Sequence, residues 1–257
     1  MKKVMKLFSI VLVILFVFTL TGCELSIEDI SEKYDIDKEI QAEEVTEEEL
    51  LQKFKDIING FKDTNYSEML MVGKVQGEEV SIKMQYDFSS DDIEEFEFYL
   101  SLNSPEGDMI VFIEDGVIYV DSQFGDSNVK EKQKISEALG NINIEEVKDK
   151  ILDEAMSNFG MDLVLDKESY EDLIDSIKEE LVENKDSIKA QIDSKDNLII
   201  DYIEYSGQGR IVFNSDNKLI YIGVKGLNDN MYMSMTINYS KPNIKMPSKD
   251  GYKEVAE

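Results

Sequence analysis

The sequence predicts an α+β fold in which one antiparallel β-sheet curls around helices. Three observations predict it. Apolar and polar residues alternate through two blocks of strand-like segments, about five before residue 129 and about four after residue 192. Between the blocks the apolar period becomes helical. Repeated β-α-β lobes, which would build a parallel sheet, are absent.

The first helix opens at Thr46. Thr46 and Glu49 have capping-box spacing, and Leu50, Leu51, Phe54, Ile57, Ile58 and Phe61 share one face of a helix ending near Gly60 and Phe61. Ser67–Val75 is mostly apolar. Val80, Ile82, Met84, Tyr86 and Phe88 alternate with Ser81, Lys83, Gln85 and Asp87, the signature of a half-buried strand. Phe96, Phe98, Leu100 and Leu102 repeat it. Met109–Ile113 and Val117–Val120 flank an Asp115-Gly116 pair, a tight-hairpin signal.

Val129–Leu139, Ile144–Phe159 and Lys167–Ile192 read as helices. Val147, Ile151, Leu152, Ala155, Met156 and Phe159 stripe the second, and Tyr170, Leu173, Ile174, Ile177 and Leu181 the third. Their acidic faces are either a partner surface or simply a solvated exterior. Strands then resume at Leu198–Tyr205, Arg210–Asn214, Leu219–Val224 and Met231–Tyr239. Ser206–Gly209 and Asn214–Asn217 serve as turns, and an extended tail carries Pro242 and Pro247.

The N-terminus reads as an address. Lys2, Lys3 and Lys6 precede an apolar run from Leu7 to Leu20, shorter than the ~20 residues a spanning helix needs. It ends in Leu20-Thr21-Gly22-Cys23, which resembles the bacterial lipobox, where the cysteine is acylated and becomes the new N-terminus. The alternative is an ordinary signal with an accidental cysteine. Cys23 is the single cysteine of the chain and occupies the required position, which favours lipidation. Glu24–Val45 is acidic and without a sustained apolar stripe, the composition of a solvated tether.

Composition excludes whole classes of function. The chain has 257 residues, 27 Lys+Arg against 55 Asp+Glu, and a net charge of −28, which argues against nucleic acid as a partner. With no histidine, neither a Ser-His-Asp nor a Cys-His centre can be built. Asp35/Asp37, Asp91/Asp92 and Asp193/Asp196 lack the spacing of a calcium loop and read as turn and surface acids. No acid stands out as one of a glycosidase pair, and Gly207-Gln208-Gly209 is no phosphate loop. The sequence implies no cofactor and no metal.

The order of helix, strands, helical middle and closing strands behind a lipobox resembles the LolA/LppX-type superfamily of lipoprotein and lipid carriers. The closing strand and its sequel Tyr239-Ser240-Lys241-Pro242-Asn243-Ile244-Lys245-Met246-Pro247 belong to that resemblance. It implies an unclosed antiparallel half-barrel whose concave face is covered by helices, with an apolar cavity between. The division expected is a lipoprotein signal peptide at 1–22, an acidic tether at 23–45, and one α+β domain at 46–257 with a helical insertion at about 129–192.

Methionine is the most informative residue type. Met231, Met233, Met235 and Ile237 occupy one face of a single strand, and flexible Met surfaces re-pack around varied apolar ligands. They equally fill an ordinary core. From alternation, Met84, Phe96, Phe98, Leu100, Met231, Met233 and Met235 are the expected lining of a lipid or other apolar ligand site. The expected protein is a non-enzymatic lipoprotein anchored through Cys23 on the extracytoplasmic face of the cell membrane. The alternative is an envelope scaffold or sensor without a cavity, acting through an unidentified protein partner.

Overall fold

The computed structural model describes residues 26–59, 65–75, 77–139, 174–175, 177–179, 181–182, 187–204, 207–226 and 231–255. Cys23, the apolar leader and the helix expected at Ile144–Phe159 lie outside them.

Helix α1 spans Ile27–Tyr34, strand β1 Ala42–Glu44 and helix α2 Glu47–Asn59. A meander follows: β2 Tyr66–Val75, β3 Glu78–Asp87, β4 Glu97–Ser104, β5 Gly107–Glu114, β6 Val117–Phe124 and β7 Ser127–Lys134, then the short helix α3 Ile135–Leu139. The chain returns as β8 Ile188–Asp193, β9 Leu198–Glu204, β10 Gly207–Phe213, β11 Leu219–Gly226 and β12 Met231–Asn238, and ends with β13 Lys253–Glu254. These strands form one open, curved sheet in the order β1-β8-β9-β10-β11-β12-β2-β3-β4-β5-β6-β7-β13. Every pairing is antiparallel except β13 on β7. Short strands β1 and β13 occupy the two edges, which limits the backbone left unpaired there.

The seam between the halves is β12 against β2, where Met235 faces Met71 and Ile237 faces Met69. Met69 in turn faces Met84 on β3. The main core lies on this inner face, beneath Leu50, Phe54 and Ile57 of α2 and beneath Ile174 and Ile177. Helix α2 is capped as its sequence predicts: the Glu49 backbone N–H donates to Thr46 Oγ1 at 3.3 Å, and the Thr46 backbone N–H donates to Glu49 Oε2 at 2.7 Å. The Thr46 backbone N–H and then the Thr46 hydroxyl, which donates to the same Oε2 at 2.8 Å, hold the Glu49 carboxyl below its ordinary range.

Four expectations are corrected. The stretch from Ser26 to Val45 is no solvated tether. Ser26 and Asp29 cap α1 reciprocally, and Ile30 and Tyr34 pack with Ile199, Val212, Ile220 and Tyr221 on the outer face of the sheet. One helix therefore covers the face opposite the one expected. Residues 129–134 are strand β7, because the Gly125 turn (φ 55°) folds β7 back on β6 and their backbones pair throughout. Residues 188–192 are strand β8: Ile188, Ala190 and Ile192 meet the inner face while Lys189 and Gln191 point away. Finally, Gly207-Gln208-Gly209 is strand rather than turn, and the Tyr202 ring lies across Gly209 from the neighbouring strand.

Candidate functional site

Burial on the inner face changes systematically along the strands. At one rim lie the β3–β4 connection and the β8–β9 and β10–β11 turns; at the other lie the Pro105-Glu106 and Gly125-Asp126 hairpin tips and the start of β12. Met233 is half-buried and Met231 is 38% exposed, whereas Met235 and Ile237, further down the same strand, are buried. Val224 is half-buried above the buried Ile222, Tyr202 above Ile200, Val80 above Ile82, Leu102 above Leu100, and Met109 and Val111 above Ile113. Six strands repeat one gradient. The inner face is closed at one rim and presents apolar side chains at the other.

The closed rim is plugged by aromatic rings. Phe88 sits with its ring centroid 5.1 Å from both Tyr86 and Phe96 and 6.4 Å from Phe98, within the range where rings attract. The Ile93–Glu95 turn, capped by Asp92, sets Phe96 in place. Beside it Asp87 is ion-paired to Lys241 at 2.6 Å. Burial works to raise the Asp87 carboxyl, but Lys241 and Ser89 outweigh it and hold the group below its ordinary value.

The residues expected to line a ligand divide along this gradient. Phe96 and Phe98 belong to the aromatic plug, and Met84, Leu100 and Met235 are buried in the same core cluster. Met233 packs against that cluster from its half-exposed margin, and Met231 stands at the open rim. Met84, Phe98, Leu100, Met231, Met233 and Met235 share one sheet face, as their alternation implies, and Phe96 lies just before β4, but alternation carries no information about depth along the strand. Leu102, Met109, Val111, Val224 and Tyr202, which share the margin with Met233, were missed as site candidates. Their nearness to predicted hairpin tips was the available signal.

The acid clusters have structural partners. Asp35 Oδ1 accepts the Asp37 N–H, and Asp92 Oδ1 accepts that of Glu94. Burial pushes the Asp193 carboxyl up. The Lys33 ammonium, the Asn197 amide and the N–H groups of Lys195 and Asn197 reverse this and hold it far below the ordinary range. A general acid at neutral pH needs the opposite displacement. Among the described residues no three His, Cys, Asp or Glu side chains gather closely enough to hold a metal ion. Among them, too, no helix is long and apolar enough to cross a membrane.

No family model matches the chain, and no curated protein matches it. Among solved structures the chain is similar to the lipoprotein LppX of Mycobacterium tuberculosis, at 8% identity and a TM-score of 0.32, over 78% of this chain and 99% of that one. It is also similar to a DUF1329 family protein from Desulfovibrio piger, at 8% identity and a TM-score of 0.21, over 78% of this chain and 94% of that one. The open rim, not these likenesses, is the basis for a functional reading.

Proposed function

We propose that the protein is a non-catalytic lipoprotein, anchored through Cys23 on the extracytoplasmic face of the cell membrane, that holds an acyl chain or similar apolar ligand against the open rim of its inner sheet face. The burial gradient shared by six strands carries this reading. Apolar surface facing an accessible rim is removed from water when a hydrocarbon chain lies along it, at roughly 25 cal/mol per Å² buried. Met233 and Met109 are pliant side chains that fit chains of differing shape. Asp193, Asp87 and Glu49 are already committed to ion pairs and a helix cap.

One observation favours a second reading, a scaffold or sensor whose inner face is filled by its own side chains. Met84, Phe96, Phe98 and Leu100 are each at most 2% exposed. Native mass spectrometry of the chain beginning at Ser26, which keeps every element described above, separates the two. A co-purifying lipid of defined mass, released by organic extraction, is the result expected. A mass that stays apo after incubation with membrane lipid extract would favour the scaffold.

A further inference from the structure

The methionines of the inner face are sorted by depth. Met231 is 38% exposed at the open rim, and Met233 and Met109 are half-buried at its margin. Met69, Met71, Met84 and Met235 are buried where β12, β2 and β3 pair. A thioether is oxidised according to its access to the oxidant, so β12 carries a reactive methionine at its start and a protected one four residues on. The sheet also leaves room beside Met233. This residue faces Gly73 on β2, and a β-carbon placed on Gly73 would meet nothing closer than the Tyr232 backbone oxygen at 3.5 Å and Met233 Cγ at 3.9 Å. An oxygen added to the Met233 sulfur is not blocked from that side.

Other side chains that two-electron oxidants attack are scarce. The sequence has no tryptophan and no histidine, and its single cysteine, Cys23, carries the acyl groups in the function proposed above. Oxidation therefore falls on methionine, and among the described residues the inner-face methionines open to it border the rim proposed to hold the ligand.

We infer that Met109, Met231 and Met233 are sites of reversible oxidation by a peroxide, and that their sulfoxides release the apolar ligand from the open rim without unfolding the domain. The release rests on the proposed ligand function; the order of oxidation rests on burial alone. In each step the sulfur lone pair attacks one peroxide oxygen, the O–O bond breaks and an S–O bond forms. The proton on the transferred oxygen moves to the departing hydroxide, giving water. Sulfur loses two electrons and the peroxide gains them. A dithiol-dependent sulfoxide reductase reverses the step: its two thiols become a disulfide and the oxygen leaves as water. A sulfoxide at the margin can turn to water, so the fold tolerates it. An acyl chain laid over it would bury an unpaired acceptor, so the ligand does not. The same oxygen on Met235 or Met84 would lie inside the packed core.

The full-length protein, processed in cells and kept in mild detergent with its co-purifying lipid, is titrated with hydrogen peroxide. Peptide mass spectrometry reads sulfoxide at each methionine, native mass spectrometry reads bound lipid, and thermal denaturation reads the fold. Met231 should oxidise at least about tenfold faster than Met235. Bound lipid should fall by half or more before Tm does, and should return after sulfoxide reductase and fresh membrane lipid extract. A chain carrying Met109→Leu, Met231→Leu and Met233→Leu, compared with its own untreated sample, should lose no lipid at the same dose. Equal oxidation of Met231 and Met235 overturns the inference. So does a rim-oxidised chain that keeps its lipid, or a triple-leucine chain that loses its lipid as the native one does. A native chain that carries no lipid before oxidation shows instead that the proposed ligand function has failed, and the release falls with it.

Discussion

The Tyr34 hydroxyl donates to Asp193 Oδ2 at 2.8 Å, joining residues 159 positions apart. Lys33 Nζ reaches the same oxygen at 2.7 Å, and the Asn197 amide donates to the Tyr34 oxygen at 2.6 Å. This network fastens α1 to the β8–β9 turn, whose own closure depends on Asp193 Oδ1 accepting from the Lys195 and Asn197 backbones. The Asp193 side chain is 2% exposed, and Tyr34 and Asn197 are buried with it, so their donors would lose this partner without gaining water, whereas the Lys33 side chain, 33% exposed, can turn to solvent.

Replacing Asp193 by Ala should therefore cost about 2–4 kcal/mol, the range for orphaning buried donors that met a carboxylate. The pH dependence follows from the direction of its shift. Its folded pKa lies below the unfolded value, so its stabilisation is complete above about pH 4 and disappears as the pH falls toward the folded pKa. Denaturation curves should show Asp193→Asn losing stability against the native chain at pH 7 but converging on it in acid. Parallel curves down to pH 2 would contradict the role.

A chain beginning at Thr46 should fold poorly, although composition presents residues 23–45 as an acidic tether. Without α1, the buried Ile199, Val212, Ile220 and Tyr221 lose their cover on the outer face. Arg210 loses two carbonyl acceptors, Asp35 O at 2.8 Å and Lys38 O at 3.0 Å, though it keeps its Asp201 pair. The shortened chain should bind a hydrophobic dye and melt well below the chain that starts at Ser26. Equal melting temperatures would return this segment to the status of a tether.

What could be read in advance tracks where the information lies. Nine strands are legible in the sequence: β3 and β4 in strict alternation, because a half-buried strand writes its period into its own residues, and the others as short apolar runs between turn residues. Strand β7 was missed because Ser127–Lys134 contains one large apolar residue, Val129. Its pairing is imposed by the Gly125 hairpin and by β6, not by its own pattern. Helix α1 was missed because eight residues give it only Ile27, Ile30 and Tyr34 as a buried stripe, in a segment dominated by acids. The inner face was legible for the same reason as the strands. Its depth was not, since burial along a strand depends on which elements lie above it, and Ile174 and Ile177 come from about a hundred positions beyond β2.

Lys218 illustrates a cost no pattern reveals. The residue is 5% exposed, and its ammonium has no hydrogen-bond partner among the described residues. The Tyr239 ring, its centroid 5.5 Å away, offers only partial compensation. Burial lowers the Lys218 pKa, with Asp216 opposing. Because the folded value is depressed, the penalty is full at neutral pH and vanishes as pH rises to the unfolded value near 10.4. Lys218→Met should stabilise the protein by about 1 kcal/mol, or ~3 °C in Tm, at pH 7. That advantage should shrink toward pH 10. A destabilised Lys218→Met chain would show that the ammonium has a favourable partner.

The burial gradient makes two substitutions on the same face behave differently. Phe98 is 1% exposed among the rings of the plug, so Phe98→Asp places an unpaired charge in a packed core. That change should cost more than about 4 kcal/mol and abolish the native fold. Met233 lies at the margin, where a carboxylate can turn to water, and Met233→Asp should cost no more than about 1–2 kcal/mol. If the rim holds an acyl chain, Met233→Asp should lose the co-purifying lipid at unchanged secondary structure. A lipid retained by folded Met233→Asp would place the ligand elsewhere on the protein. Folding by Phe98→Asp would mean that the aromatic plug is not packed, and with it the closed rim that gives the inner face a single mouth. The pair thus tests separately where the sheet is sealed and where it opens, two properties that alternation along a strand does not distinguish.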